Sequence, residues 1–127
     1  MLTSQPLAGC RVLVVEDEYF IGDDLKKSLT AAGATVIGPI PQVDQAMNQV
    51  RGGEFEVVVL DINLRDEMSF SVADELKRRG IPFVFATGYD ACVIPDRFAD
   101  VKRWEKPYGL EDLVTDIVGL CPKTRST

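Results

Sequence analysis

The sequence contains no histidine among its 127 residues, and this absence excludes several kinds of active site. A Ser-His-Asp triad and a Cys-His nucleophile pair are both impossible, and no histidine can act as a general base. Any chemistry that this chain performs must therefore depend on carboxylates, hydroxyl groups, lysine or a bound metal ion.

Cysteine is also scarce, and its spacing along the chain matches no known pairing motif. The chain has three cysteines, Cys10, Cys92 and Cys121, without any CxxC motif. This odd number and the wide spacing indicate neither a zinc site nor a disulfide framework. We therefore expect reduced and mostly buried thiols, as in a cytoplasmic protein.

Long apolar runs and basic clusters are missing as well. The longest apolar runs reach about five residues, far fewer than the roughly twenty that a membrane span needs. The first ten residues, MLTSQPLAGC, do not have the basic and then hydrophobic pattern of a secretory signal. A net charge of −6 disfavours nucleic-acid binding. We expect a cytoplasmic protein that binds neither membranes nor nucleic acid.

The composition is that of one globular domain. Apolar residues make up 46% of the chain and charged residues 27%, and a chain of this length suits a single core. We expect one domain over residues 1–127, with a core from about 10 to 121 and short flexible tails. Because the last helical pattern lies close to the end of the sequence, we expect no output domain after it.

Short β-rich segments alternate with amphipathic helical patterns five times. The predicted strands are residues 11–15, 34–37, 57–60, 82–86 and 101–104. Residues 63–68 are predicted to be a loop, and the weak apolar pattern of residues 90–100 allows only a short helix beginning at Pro95. This alternation predicts an α/β fold, a doubly wound (βα)5 parallel sheet with helices on both faces.

Polar side chains follow four of these strands. Glu16 and Asp17 come after the first strand, Asp61 after the third, Thr87 after the fourth and Lys106 after the fifth. Because ligands of such sheets bind at the carboxyl ends of the strands, we expect these side chains to converge. Carboxylates packed this closely repel one another, and an oxygen-rich site of this kind suits Mg²⁺.

This set of side chains is suited to phosphoryl transfer. A carboxylate can act as the nucleophile, while a metal ion, a lysine and a hydroxyl group stabilise phosphoryl oxygens. Each feature alone has an ordinary explanation, such as a helix N-terminal turn for the acidic residues or a turn for Thr87-Gly88. Their joint occurrence at successive strand ends favours a functional site.

The motifs VLVVEDE, VVVLDIN, FATGY and EKPY occur in this order over nearly the whole chain. Together they resemble the receiver domain of two-component response regulators. The resemblance implies a flavodoxin-like fold with strand order 2-1-3-4-5. It also implies that Asp61 accepts a phosphoryl group from a phosphohistidine on a separate histidine kinase or phosphotransfer protein.

The same resemblance implies roles for the other residues. Glu16 and Asp17 would hold Mg²⁺ together with the phosphoacceptor, and the main-chain carbonyl of Asn63 would complete the protein ligands. Thr87 and Lys106 would contact the phosphoryl group. The protein's own activity would be limited to accepting the phosphoryl group and hydrolysing the aspartyl phosphate, so we do not expect an enzyme in the ordinary sense.

A longer segment is similar to one receiver subfamily. PFVFATGY, preceded by DINLRDEMSFSVADELKRRGIP, resembles the FATGUY-type single-domain receivers, which are often paired with HWE-type histidine kinases. The kinase class is implied by this analogy alone.

Two positions depart from the general receiver pattern. The aromatic switch residue usually lies three positions before the lysine, where this chain has Arg103. Neighbouring Trp104 should point to the opposite face of its strand. Tyr89 is therefore the candidate switch residue. In addition, Asp66-Glu67 stand in a loop that often carries glycine.

We expect a stand-alone receiver, monomeric or weakly dimeric, that signals by phosphorylation-dependent docking of a partner or acts as a phosphate sink. One alternative is a small aspartate-nucleophile phosphohydrolase, but Asn63 stands where such an enzyme needs an acid-base aspartate. Another is a degenerate receiver used as a protein-interaction module. A flavodoxin-like electron carrier is disfavoured, because the acidic residues after the first strand would repel a phosphate group.

Overall fold

The computed structural model describes residues 5–88 and 94–122, and one parallel sheet organises them. Its strands are β1 (Arg11–Val15), β2 (Thr35–Ile40), β3 (Val57–Leu60), β4 (Phe83–Thr87) and β5 (Arg103–Glu105). The helices are α1 (Tyr19–Ala31), α2 (Val43–Gly52), α3 (Phe70–Arg79) and α4 (Leu110–Leu120). The strands are ordered β2-β1-β3-β4-β5. This confirms the predicted doubly wound fold and its strand order.

The sheet separates two apolar cores. One core packs against α2 and α3 and the other against α1 and α4. Strand β3 is buried on both faces, since Val58 and Leu60 enter the first core while Val57 and Val59 enter the second. A continuous apolar run is what such a central parallel strand requires.

Each helix buries one apolar side, as the predicted amphipathic patterns require. Leu25 and Leu29 of α1 are fully buried, and so are Leu113 and Ile117 of α4. Gly33 follows α1 with a φ of +103°, a conformation that favours glycine. Within residues 5–88 and 94–122, no helix combines the length and the apolarity that crossing a bilayer requires.

Strand β2 is longer than predicted. We expected it to stop before Gly38-Pro39, but it continues to Ile40, with a shift of register opposite the segment Leu13–Val15. Within the described residues, β2 is an edge strand that pairs with β1 alone. A proline, which has no N–H to donate, is therefore tolerated within it. The extension has a consequence for the site, because the carbonyl of Ile40 accepts from the N–H of Glu16 at 3.0 Å.

Residues 63–68 form a small hairpin instead of the predicted irregular loop. Asn63–Leu64 pairs antiparallel with Glu67–Met68. The two turn residues, Arg65 and Asp66, have φ values of 50° and 67°, as the favoured two-residue hairpin turn requires. That turn usually contains Asn-Gly or Asp-Gly, so its sequence signal is absent here.

An aromatic side chain anchors residues 94–100, a described part of the connection between β4 and β5. A 3-10 turn, Asp96–Phe98, follows Pro95, as the sequence allowed. Phe98 is buried, and its ring stacks on that of Phe70 with the centroids 5.7 Å apart. Strand β5 then begins at Arg103, two residues later than predicted.

Two of the three cysteines are joined, which corrects the expectation of reduced thiols. Cys10 and Cys121 form a disulfide with a Cα–Cα distance of 6.5 Å, and both are fully buried. Cys10 immediately precedes β1, and Cys121 caps the C-terminal end of α4. Sequence spacing alone does not reveal that these two positions meet. Cys92 lies outside the described residues.

Candidate functional site

The predicted site residues meet at the carboxyl-end edge of the sheet. Strands β1 and β3 are neighbours with Val15 opposite Leu60, so the residues that follow them, Glu16 and Asp61, lie side by side. The N–H of Asp61 donates to the carbonyl of Val15 at 2.9 Å. On the other side of β3, the N–H of Lys106 donates to the carbonyl of Thr87 at 2.9 Å.

Lys106 is the centre of an ionic network. Its Nζ lies 2.9 Å from Asp61 Oδ2, 3.0 Å from Glu16 Oε2 and 2.9 Å from Glu18 Oε1. The ammonium group therefore contacts three carboxylates, and it binds residues that follow β1 and β3 to the residue that follows β5. Glu18 was not predicted to take part, and its signal in the sequence was only its place as the third acid of Glu16-Asp17-Glu18.

Four carboxylates form the acidic part of the site. Glu16, Asp17, Glu18 and Asp61 each offer one oxygen, and these oxygens lie within 4.8 Å of one another. Glu16 is 2% exposed and Asp61 is 3% exposed. Asp17 is half-buried and Glu18 is exposed, so the charge of the two buried carboxylates is the part that is costly, and one ammonium group does not balance the four carboxylates. Such an oxygen-rich cluster fits a hard divalent cation.

The pKa values of Glu16, Asp61 and Lys106 are shifted by the same crowding of buried carboxylates. Burial, together with the neighbouring Asp61 carboxylate, raises the pKa of Glu16 to about 8. Burial also raises the pKa of Asp61, although Glu16 and Lys106 oppose the shift. For Lys106, burial acts to lower the pKa, but contacts with the three carboxylates outweigh it and the pKa is raised. The crowded carboxylates are thus costly to ionise without a further positive charge.

Hydrogen bonds to its main chain and to its side chain fix Asp61 in place. The hydroxyl of Ser69, which is fully buried, donates to the main-chain carbonyl of Asp61 at 2.6 Å. The N–H of Asn63 donates to Asp61 Oδ1 at 3.2 Å. With Lys106 on Oδ2, both carboxylate oxygens are held from defined directions, so the side chain is oriented before any ligand arrives.

The hairpin forms one wall of the cleft. The N–H of Arg65 donates to Asp17 Oδ2 at 2.8 Å, which connects the turn of the hairpin to the acidic cluster. The cleft has a volume of about 400 Å³. It is lined by Asp17, Glu18, Asp61, Asn63, Arg65, Asp66, Gly88 and Lys106. Asn63 thus lies beside the cluster, as predicted.

The remaining predicted residues have different outcomes. Thr87 ends β4 at the same edge of the sheet and is fully buried, and Gly88 after it lines the cleft. Tyr89, the candidate switch residue, lies outside the described residues. Trp104 packs in the core on the α4 side, and its Nε1–H donates to Asp116 Oδ2 at 2.8 Å. Arg103 lines a groove with Phe98 on the other face, so the two neighbours point in opposite directions, as predicted.

Comparisons with known proteins agree on one family. The model of the response regulator receiver domain matches residues 12–117. The sensory transduction protein LytT of Bacillus anthracis is 37% identical over 108 residues, which are 82% of this chain and 44% of LytT. The transcriptional regulatory protein TcrA of Mycobacterium tuberculosis is 32% identical over 84% of this chain and 44% of its own. The chain thus spans less than half the length of these curated relatives.

Solved structures give the same result for the fold. The solution structure of SdrG from Sphingomonas melonis Fr1 is similar with a TM-score of 0.77 and 35% identity, over 87% of this chain and 95% of that chain. A CheY-like receiver domain protein from Methanospirillum hungatei JF-1 is similar with a TM-score of 0.80 and 22% identity, over 91% of this chain and 95% of that chain. The second likeness concerns the fold alone.

Proposed function

The chain belongs to the family of response regulator receiver domains of two-component signalling, and from this premise we propose that Asp61 accepts a phosphoryl group from a phosphohistidine. The donor is a histidine kinase, of the HWE type by resemblance, or a histidine phosphotransfer protein. The observation that carries the proposal is the buried Asp61 carboxylate, with Lys106 Nζ 2.9 Å from its Oδ2.

The transfer itself requires little of the chain beyond position and charge. An oxygen of the Asp61 carboxylate forms a bond to phosphorus while the bond from phosphorus to the donor imidazole nitrogen breaks. The released imidazole takes up a proton. Because the chain has no histidine, the imidazole belongs to a partner protein. Asn63 and Lys106, which bind the two carboxylate oxygens, orient the nucleophile for this attack.

We also propose that the site uses Mg²⁺. Glu16, Asp17, Asp61 and the main-chain carbonyl of Asn63 would hold the ion, which would neutralise charge on the phosphoryl oxygens. The residues fit such an ion, since the carboxylate oxygens converge within 4.8 Å.

Lys106 and Thr87 complete the proposed phosphoryl contacts. The Lys106 ammonium bonds to three carboxylates here, and it supplies the positive charge that a phosphoryl group on Asp61 needs. Thr87 lies at the end of the next strand, and its hydroxyl is assigned to a phosphoryl oxygen. Tyr89 stays a prediction for the switch residue.

The output that we propose is phosphorylation-dependent docking of a partner protein, or service as a phosphate sink, in the cytoplasm and as a stand-alone monomer or weak dimer. The catalysis of the chain itself is limited to self-phosphorylation and slow loss of the phosphoryl group. With a net charge of −6, the chain is not suited to bind DNA directly.

Transfer from a phosphohistidine tests this proposal. A phosphotransfer protein charged on its histidine is mixed with the receiver and Mg²⁺, and the product is followed on a phosphate-retention gel. We expect label to pass to the receiver and to be released by hydroxylamine, which cleaves acyl phosphates. Label that resists hydroxylamine would place the phosphoryl group on a residue other than an aspartate.

A further inference from the structure

Two buried polar atoms beside the site have complementary hydrogen-bonding capacity and no partner in the described part of the chain. One is Glu16 Oε1 and the other is the hydroxyl of Tyr108. An ionised carboxylate oxygen only accepts hydrogen bonds, whereas a phenol hydroxyl donates one. Buried groups of this kind nearly always have a partner, so each unpartnered atom needs a physical explanation.

The surroundings of the two residues overlap. Tyr108 follows Lys106 by two residues, and Lys106 Nζ binds the other oxygen of Glu16 at 3.0 Å. Tyr108 lines a groove together with Lys106 and Ile21. Glu16 Cγ lies 3.5 Å from the place where a Cβ on the adjacent Gly22 would stand. Both side chains therefore approach the first turn of α1.

The acid–base behaviour of the tyrosine is consistent with this proximity. Burial is the main cause that raises the pKa of Tyr108, and the negative charge of Glu16 is the next. A phenol in such a place keeps its proton, and a protonated phenol beside a carboxylate is a hydrogen-bond donor.

We propose that Tyr108 is a positioning residue for Glu16, and that its hydroxyl donates to Glu16 Oε1 through one bound water. With Oε1 held by the tyrosine, Oε2 remains directed at Lys106 and at the acidic cluster. Tyr108 thereby fixes the longest of the proposed cation ligands without touching the phosphoryl group. This inference rests on the proposed function, since Glu16 matters there as a ligand of Mg²⁺.

The test depends on the sign of a stability change in the cation-free protein. Tyr108→Phe removes only the hydroxyl, and the exposed Tyr19 offers a matched control, Tyr19→Phe. If the hydroxyl donates to Glu16, Tyr108→Phe lowers the midpoint of thermal unfolding. If the hydroxyl is truly without a partner, its removal ends a desolvation cost and the midpoint stays or rises. The latter result would overturn the proposal.

A double-mutant cycle identifies the acceptor. In a Glu16→Ala background the acceptor is gone, so Tyr108→Phe should no longer lower the midpoint. An equal decrease in both backgrounds would mean that the hydroxyl acts through another group, and the proposal would be wrong. Calorimetric titration adds a second measurement, in which Tyr108→Phe weakens Mg²⁺ binding at least about threefold and Tyr19→Phe leaves it unchanged.

Failure of this inference is distinguishable from failure of the proposed function. If wild type is phosphorylated on Asp61 while Tyr108→Phe neither lowers the midpoint nor weakens Mg²⁺ binding, the tyrosine has no such role and the receiver function stands. If wild type accepts no phosphoryl group, the proposed function fails. The double-mutant cycle in the cation-free protein still decides the contact between Tyr108 and Glu16.

Discussion

The edge of the sheet formed by the carboxyl ends of its strands differs in charge and polarity from the edge formed by their amino ends. At the carboxyl-end edge, four carboxylates converge, three of them contact Lys106, and two of them are almost completely buried. At the amino-end edge, the buried Cys10–Cys121 disulfide joins the segment before β1 to the end of α4, and Leu7 is fully buried beside it in the same core. One edge concentrates charge that is difficult to bury, whereas the other is apolar and covalently closed.

This difference teaches how a small domain tolerates an unfavourable site. Burying carboxylates that repel one another destabilises the folded state, which the raised pKa values of Glu16 and Asp61 reflect. The remainder of the fold must offset this cost. We infer that the apolar cores and the disulfide provide the stability, so that the carboxyl-end edge is free to serve binding.

The largest expected effect is at the acidic edge. Asp17→Ala removes one of the oxygens that converge on the cluster. Mg²⁺ affinity should decrease by more than the roughly 10- to 100-fold that loss of an outer-shell partner costs, and phosphorylation should be lost with it. Calorimetric titration and a phosphorylation assay measure the two effects, and Asp44→Ala, at an exposed acidic residue of α2, serves as the control. Undiminished Mg²⁺ affinity in Asp17→Ala would refute the role of the acidic pair.

The next largest effect is at the opposite edge. The disulfide spans a sequence separation of 111 residues, so removing it frees a long loop in the unfolded chain. Replacing both Cys10 and Cys121 with alanine should lower the free energy of unfolding by about 2–5 kcal/mol, as measured by urea titration. Mg²⁺ affinity in native buffer should not change. A double alanine variant that loses stability and Mg²⁺ affinity together would show that the two edges are not independent.

A smaller effect should appear in the pH dependence of stability. The folded pKa of Glu16, about 8, lies above its unfolded value of 4.5. The stability that the protonated Glu16 carboxyl contributes is therefore fully present below the unfolded pKa, and this contribution is lost as the pH rises toward 8. The change amounts to a few kcal/mol at most, since one pKa unit corresponds to about 1.4 kcal/mol. Asp61 is shifted in the same direction.

Chemical denaturation of the cation-free protein between pH 5 and pH 8 checks this prediction. Glu16→Gln should flatten the profile, and saturating Mg²⁺ should do the same in wild type because the ion favours the ionised carboxylates. The exposed ion pairs of Glu75, which lower its pKa to about 2, act only at lower pH and do not obscure this window. A wild-type profile that rises with pH would contradict the cost assigned to the acidic edge.

The features that the sequence predicted are those with a local signal. The apolar run Val57–Leu60 followed by Asp61 indicated a central strand with a functional carboxylate at its end, because only a strand buried on both faces is continuously apolar. The convergence of Asp61 with Glu16 and Lys106 then followed from the rule that the carboxyl ends of parallel strands share one edge.

The features that the sequence did not predict depend on distant or unusual local geometry. The hairpin turn uses Arg65 and Asp66 where glycine is usual, so it carried no recognisable signal. The contact between Cys10 and Cys121 joins the two ends of the described chain, which no local pattern records. The burial of the Tyr108 hydroxyl likewise depends on packing against α1, which lies far away in the sequence.

The central claim is that Asp61 at the acidic edge is the phosphoacceptor, and intact mass spectrometry tests it most directly. Wild type, Asp61→Asn and the control Asp66→Asn, a neighbouring acid that lines the same cleft, are each incubated with acetyl phosphate and Mg²⁺. We predict that wild type and Asp66→Asn each gain the mass of one phosphoryl group, whereas Asp61→Asn gains none. Full labelling of Asp61→Asn would contradict the claim.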